Sequence, residues 1–304
     1  MKRILLVSTQ DQAPPHSDRR EVLRTIADAL GGVEATVDTV LFEEMEFVIY
    51  NGEASIRNAA ADCDVREYDL VYVKNWKAHQ NAASALAVYL DKKNVRYICG
   101  ELQNFRATDK ISEAFLLAMN GLSYPDTYFT VHSDSLPALI ARHTTTLSYP
   151  FILKAVDGSA GQDNHLIANE QELLSIIESS ELAYMVQNFI PNDGDHRVIV
   201  LGFEPKLSFK RTRADESTHL NNTSQGALAS LTDLASYDAA VLHDSVKAAQ
   251  LVSREIAGVD VLFDKNTGEH YILEVNASPQ LATGAFLDEK RKILDEYFTS
   301  ILEA

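Results

Sequence analysis

Asp260, Glu274 and Asn276 are the residues whose types and spacing can do chemistry together. Asp260 lies in the apolar run Gly258-Val259-Asp260-Val261-Leu262-Phe263, and the other two lie in Tyr271-Ile272-Leu273-Glu274-Val275-Asn276. The intervening Asp264-Lys265-Asn266-Thr267-Gly268-Glu269 is rich in turn formers, so the two runs read as a β-hairpin. Residues two apart on a strand share a face, which sets Glu274 beside Asn276, and folding about the loop brings Asp260 opposite Glu274. Two carboxylates and an amide oxygen then converge inside an apolar frame. Uncompensated, the carboxylates repel each other at a cost of several kcal/mol. Oxygen-only donors suit Mg²⁺, and through it a nucleotide phosphate. The plainer alternative is a strand-end pair satisfied by arginines.

Further residues extend this pattern. Lys154 ends a strand candidate that leads into Asp157-Gly158-Ser159-Ala160-Gly161-Gln162. Glycines let backbone N–H groups approach phosphate oxygens, and Lys154 can reach the same phosphates as a point charge. No Gly-Lys-Ser/Thr follows, so this is not a Walker A loop, and an ordinary hairpin turn is the competing reading. Asp195 and Arg197 share a face. The Asp can accept from a ribose hydroxyl or a lysine, and the Arg can contact phosphate or carboxylate, against the alternative of a surface ion pair. Lys206, Lys210, Arg211 and Arg213 form a basic cluster suited to a transferred phosphate, or else a solvated strand end. The segment from His219 to Ala227, including Asn221, offers many donors and acceptors and reads as a binding loop or a connector. His165, His196 and His219 lack zinc spacing, and Trp76 and the tyrosines read as packing residues.

The elements that must position these residues alternate near the N-terminus. Arg3–Ser8 reads as a strand, Arg19–Leu30 as a helix stopped by Gly31-Gly32, Asp69–Val73 and Arg96–Ile98 as strands, and Ala82–Leu90 as a helix between them. This order implies a parallel sheet covered on both faces. A helix over Thr108–Met119, with Thr108 as its N-cap, opens the next part. Strands at Pro150–Ala155 and His165–Ile167 and a helix at Glu170–Glu178 suggest a small α+β lobe, and Tyr184–Ile190 crosses into the last one. That lobe carries strands at Arg197–Leu201 and Pro205–Lys210, a helix over Ala239–Ile256, and the hairpin. There is no internal repeat and no low-complexity segment.

Composition is that of a globular chain: 304 residues, 46% hydrophobic and 23% charged. No apolar run reaches membrane-span length, and the apolar start is too short for a signal peptide. Two cysteines, Cys63 and Cys99, fit no metal or disulfide pattern, so a reducing cytoplasm is the expected compartment. A formal charge of −17 opposes sequence-independent binding to nucleic acid or anionic membrane.

Read in order, Asp109-Lys110, Lys154 with Gly158-Ser159-Ala160-Gly161, Asp195-x-Arg197, Lys210-Arg211, Asn221, Asp260 and Glu274-x-Asn276-x-Ser278-Pro279 resemble the ATP-grasp superfamily. The likeness is specifically to its RimK-type carboxylate–amine ligases, with glutathione synthetases as relatives. Ala257-Gly258-Val259-Asp260-Val261-Leu262 and Leu273-Glu274-Val275-Asn276-Ala277-Ser278-Pro279 carry most of the resemblance, which spans roughly Phe105–Ala285. The resemblance implies an α/β and α+β architecture. A Rossmann-like lobe (residues 1–105) precedes a small grasp subdomain with the glycine segment (106–186) and a C-terminal grasp subdomain with the metal site (187–304). It implies ATP and two Mg²⁺, replaceable by Mn²⁺, with Asp260, Glu274 and Asn276 as metal ligands. Lys110, Lys154, Gly158, Ser159 and Gly161 would serve the phosphates, and backbone groups of Gln187, Asn188, Phe189 and Ile190 the adenine. Asp195, Lys210 and Asn221 would help bind nucleotide or substrate, and Arg197, Lys154 and Arg211 would be catalytic, Arg211 facing the transferred phosphoryl group.

Two departures fall near the acceptor side: His219 stands where the branch often has Arg, and Gln280 where it often has Gly. The implied activity is amide or peptide bond formation through an acyl-phosphate, on small-molecule or peptide carboxylates and amines. Dimers and tetramers are common in the superfamily, so a homo-oligomer is compatible with it. The alternatives are an ATP-grasp enzyme with a hydroxyl or thiol acceptor, or a non-catalytic ATP-binding regulator.

Overall fold

Four apolar segments near the N-terminus build a parallel sheet in the computed structural model, which describes residues 1–10, 18–50, 53–103, 109–156, 163–213 and 228–303. The elements run β1 (Lys2–Ser8), α1 (Arg19–Ala29), β2 (Ala35–Leu41), β3 (Met45–Tyr50), β4 (Glu53–Asn58), β5 (Cys63–Asp64), β6 (Leu70–Val73), α2 (Gln80–Lys93), β7 (Arg96–Ile98) and α3 (Gly100–Gln103). The sheet order is β2-β1-β6-β7, with every pair parallel. The chain leaves β1 toward β2 on one side and returns to β6 on the other. The carboxyl ends of β1 and β6 therefore flank the topological switch point, where open α/β sheets receive ligands. Strand β2 and the antiparallel β3-β4-β5 sheet are additions to the expected alternation.

The middle of the chain forms α4 (Lys110–Met119), β8 (Thr127–Phe129), α5 (Leu136–Arg142), β9 (Phe151–Ala155), β10 (Asn164–Ile167), α6 (Glu170–Glu178) and β11 (Tyr184–Asn188). Its antiparallel sheet has the order β10-β9-β11-β8. Phe151, Leu153 and Ala155 alternate inward and pack with Leu136, Leu173 and Tyr184. Helix α4 is capped by Asp109 rather than by Thr108, which lies outside the described residues. The Asp109 carboxylate accepts from the N–H groups of Ile111 and Ser112 at 2.9 and 2.8 Å, and Ser112 closes the capping box.

The last part is β12 (Asp195–Leu201), β13 (Glu204–Thr212), β14 (Leu228–Thr232), α7 (Ala239–Leu251), β15 (Ile256–Phe263), β16 (His270–Asn276) and α8 (Leu287–Glu303). Its antiparallel sheet runs β14-β13-β12-β15-β16. The helix expected to reach Ile256 stops at Leu251: Val252 caps it, Ser253 takes φ 56°, and Ile256 opens β15. Strand alternation divides this sheet. Val198, Val200, Val259 and Val261 face α7, while Ile199, Leu201 and Ile256 join Ile4, Leu6, Leu23 and Phe298 in one core shared with the N-terminal sheet. Fully burying each such side chain is worth about 1.5–3 kcal/mol, so the parallel sheet and the five-stranded sheet are held by common packing. Among the described residues no helix is long and apolar enough to cross a membrane.

Candidate active site

The site forms because three antiparallel registers stack same-face residues side by side. Asp195 lies opposite Arg211, Arg197 opposite Asp260, and Asp260 opposite Glu274. The hairpin expected from sequence is thus present, with an irregularity between Asp260 and Val261 that leaves Leu273 without a partner in the ladder. Arg197 donates to Asp260 through Nε at 2.7 Å and Nη2 at 2.8 Å. Arg211 grips Asp195 in the same two-pronged way, at 2.7 and 2.8 Å, and its Nη2 also lies 3.0 Å from Asp260 Oδ2. Asn276 Nδ2 donates to the same oxygen at 3.2 Å.

All four members of this arginine–aspartate square are buried. Burial alone would raise the Asp260 carboxyl, but Arg197 and Arg211 outweigh it and hold the group down at about 2. Burial lifts Asp195 to about 6 against the pull of Arg211, with the Asp260 charge adding to the lift. Gly258 makes room for the square. A Cβ there would lie 2.7 Å from Pro279 Cβ and 3.2 Å from Arg197 Cδ.

Glu274 is half-buried and has no hydrogen bond or ion pair among the described residues. Its neighbour Val275 is fixed, because the Val275 N–H donates to Glu113 Oε1 at 2.7 Å. Among the described residues no group of three or more His, Cys, Asp or Glu side chains could hold a metal ion. Mg²⁺ asks for less, one or two carboxylates together with water and substrate phosphate oxygens. Glu274 and the Asn276 side-chain carbonyl oxygen fit that demand as hard donors with no partner among the described residues. Asp260 fits as a third donor that shares its oxygens with Arg197, Arg211 and Asn276.

The other residues singled out from sequence are dispersed around this centre. Lys110 Nζ donates to the Ala155 carbonyl at 2.8 Å, so it meets the end of β9 beside Lys154. Lys154 is half-buried, and among the described residues nothing joins it to the Asp260 square. Gln187 is buried and donates to Thr127 Oγ1 at 3.0 Å. Asn188 donates to the Thr146 carbonyl at 2.9 Å, and the Ile190 carbonyl accepts from Asn192 at 2.9 Å. Phe189 lines a cleft of about 850 Å³ with β10, α6 and Lys265. Lys210 and Arg211 project to opposite faces. Lys210 lies across from His196, whose ring meets the Tyr237 hydroxyl at 2.6 Å and is pushed down to about 4 by burial and by Lys210. Gly158, Ser159, Gly161, His219 and Asn221 lie outside the described residues.

Sequence reasoning missed the residues that brace the site from behind. Arg254 bridges Glu101 and Glu113, each at 2.6 Å, and also donates to the Val275 carbonyl. Lys290, buried in α8, donates to the carbonyls of Gln280 and Thr283 at 3.0 and 2.9 Å and so holds the segment after Pro279. The available signal was weak: Glu101, Glu113 and Lys290 are charged residues on helices, and Arg254 is 141 residues from Glu113 and 153 from Glu101.

Comparison with known proteins adds to this geometry. Residues 107–293 match the RimK-like ATP-grasp domain. A probable alpha-L-glutamate ligase of Cellvibrio japonicus (strain Ueda107) is 31% identical over 181 residues, covering 58% of this chain and 57% of that protein. A protein of the same description from Klebsiella pneumoniae (strain 342) is 30% identical over 181 residues, with the same coverage. The chain therefore spans little more than half the length of these curated relatives. The ATP-grasp ligase PsnB, solved with a minimal precursor, Mg and ADP, superposes with a TM-score of 0.69 at 15% identity over 99% of this chain and 98% of that one. D-alanine–D-alanine ligase from Bacillus anthracis, solved with ATP, gives 0.64 at 13% identity over 100% and 98%. The fold is the ATP-grasp fold, and the chain belongs to the RimK-like ATP-grasp family.

Proposed function

We propose that the protein is an ATP-dependent ligase that joins a carboxylate to an amine. The observation that carries this reading is the convergence of Asp260, Glu274 and Asn276 with Arg197 and Arg211 on one face of the last sheet. Membership of the RimK-like family supports it, as do the ATP, ADP and Mg named for the structural neighbours. The relatives described as glutamate ligases support an amino acid or peptide as one substrate.

In this reading Asp260, Glu274 and Asn276 would hold Mg²⁺, which would supply charge screening between two anionic reactants. Lys110 and Lys154, at the end of β9, neutralise phosphate oxygens. A substrate carboxylate oxygen forms a bond to the γ-phosphorus of ATP while the bond to ADP breaks, giving an acyl-phosphate. The amine then bonds to the acyl carbon, inorganic phosphate leaves, and the amine loses a proton. Arg211, preset by its two carboxylates, stabilises the charge on the transferring group and on the tetrahedral oxyanion.

Hydroxylamine added with a carboxylate that stimulates ADP release is expected to trap a hydroxamate. Its absence with every stimulating carboxylate would replace this reading with a kinase-like or uncoupled ATPase. Glu274→Ala is expected to abolish ADP release with little change in Tm, since it removes a donor and no core volume. Near-normal turnover by the folded variant would sink the metal assignment.

A further inference from the structure

A second polar site lies between the N-terminal sheet and the end of the metal hairpin. It is a cavity of about 210 Å³ at the carboxyl ends of β6 and β7, closed on the far side by residues 253–256 and by Ala277 and Ser278. Tyr72 and Lys74 share one face of the strand that ends there, and Arg19 at the start of α1 joins them in the wall. Lys74 is 8% exposed, and among the described residues its ammonium makes a single hydrogen bond, 2.9 Å to Ser278 Oγ. No carboxylate lies within ion-pair distance of it among the described residues. Arg19 Nε and the Tyr72 hydroxyl are buried without a hydrogen-bond partner among the described residues. The acidic side chains in the same wall are committed elsewhere: Glu101 to Arg254 at 2.6 Å, and Glu255 to Arg96 at 2.6 Å and Tyr297 at 2.7 Å.

Three buried donor groups, two of them cationic, thus line one small space, and among the described residues the one acceptor that any of them meets is Ser278 Oγ. Buried polar groups are ordinarily satisfied, and those that are not call for an explanation. Like charges at Arg19 and Lys74 repel unless an anion sits between them. The volume admits a molecule of amino-acid size. The site lies at the switch point of the parallel sheet, two residues along the chain from Asn276.

We propose that Lys74, Arg19 and Tyr72 form a carboxylate-binding pocket that anchors a non-reacting carboxylate of the organic substrate, setting its reactive group toward Asn276 and Glu274. This rests on the ligase reading for the reaction, but the pocket itself is testable without turnover. A carboxylate accepts from both cations and from the phenol at once, a match no neutral amide or amine provides. The carboxylate belongs either to a dicarboxylate acyl donor or to an amino acid acceptor, and the probes below tell these apart.

Calorimetric titration of the full chain with Mg²⁺ and ADP present, using L-glutamate, glutarate and propylamine, tests the proposal. Glutarate and L-glutamate binding alike assigns the pocket to the acyl donor. L-glutamate alone assigns it to the amino acid acceptor. Propylamine is expected not to bind. Lys74→Met should weaken carboxylate binding at least about tenfold, the scale of one hydrogen bond to a charged group, while ADP binding stays as in wild type. Its Tm is expected at or above wild type, because a buried cation without a counter-ion is removed. Tyr72→Phe, which keeps the ring, should weaken the same probes by about threefold or more. Ser278→Ala keeps the ammonium and should change binding little; a loss there equal to that of Lys74→Met would mean that Lys74 only braces Ser278, and would overturn the proposal. Failure of both carboxylates to bind wild type, or binding unchanged in folded Lys74→Met and Tyr72→Phe, would also overturn it. Carboxylate binding together with no hydroxamate from any carboxylate that stimulates ADP release would instead count against the ligase reading and leave the pocket standing.

Discussion

Arg211 holds two carboxylates at once, and this decides what its replacement should do. Its Nε and Nη2 are committed to Asp195 at 2.7 and 2.8 Å, and Nη2 also reaches Asp260 at 3.0 Å. Lysine keeps the charge but has no planar fork, so it can satisfy one carboxylate and leaves the other short of a donor. Arg211→Lys is expected to lower turnover by roughly 10²-fold, the range found when an oxyanion donor is removed. ATP affinity should fall far less, because Lys110 and Lys154 remain. Separate measurement of kcat and of nucleotide Kd checks this, and equal losses in both would reassign Arg211 to ground-state nucleotide binding. Asp260, Glu274 and Asn276 were legible in the sequence because their partners lie within one hairpin, where strand period and a turn fix the geometry. The clamp on Asp260 was not, since Arg197 lies 63 residues away and only the sheet order brings it across. Lys74 and Ser278 are further apart still, at 204 residues.

At the scale of elements, β12, β15 and the segment after β16 meet at Gly258. Pro279 and the Arg197 side chain both crowd this glycine, and any Cβ on Gly258 would stand 2.7 Å from Pro279 Cβ and 3.2 Å from Arg197 Cδ. Gly258→Ala therefore has to push Pro279 or Arg197 aside. Such overpacking costs about 1–3 kcal/mol, a modest loss of Tm, but the displaced group is the clamp on Asp260. ADP release is expected to fall by about tenfold or more, since a shift of an ångström in a catalytic arrangement costs up to 10²-fold. Full activity in Gly258→Ala would show that the clamp tolerates displacement. Element reading from sequence worked where apolar period and punctuation agreed, as for Glu170–Glu178 and Arg96–Ile98. It overran α7 because no glycine or proline marks the stop, which falls instead on Ser253 in a left-handed conformation. It passed over β2, where Thr36, Asp38 and Thr39 dilute the apolar alternation.

At the scale of the whole molecule, the parts of the chain converge on one guanidinium. Arg254, between α7 and β15, ion-pairs with Glu101 of α3 and Glu113 of α4 and donates to the Val275 carbonyl beside Glu274. Glu113 in turn accepts from the Val275 N–H at 2.7 Å. The parallel sheet, the helix leading into the middle sheet and β16 are thus tied at a single buried point. Arg254→Met removes the cation and leaves two buried carboxylates facing each other, a loss of about 3–5 kcal/mol for a broken buried pair. Burial already raises Glu113 even with Arg254 present, and without Arg254 it should rise further. A carboxyl whose folded value exceeds its unfolded one favours folding at low pH, and that favour is lost as pH rises through the folded value. The destabilisation of Arg254→Met should therefore be smaller near pH 5 than near pH 8 (conditions of about those values), measured as the difference in Tm from wild type. Adding Glu113→Gln to Arg254→Met should restore part of the Tm at the higher pH and flatten the dependence. A Tm difference independent of pH, unmoved by the second substitution, would mean that the carboxylates re-solvate when the arginine is gone and that the junction is not the point holding the lobes together.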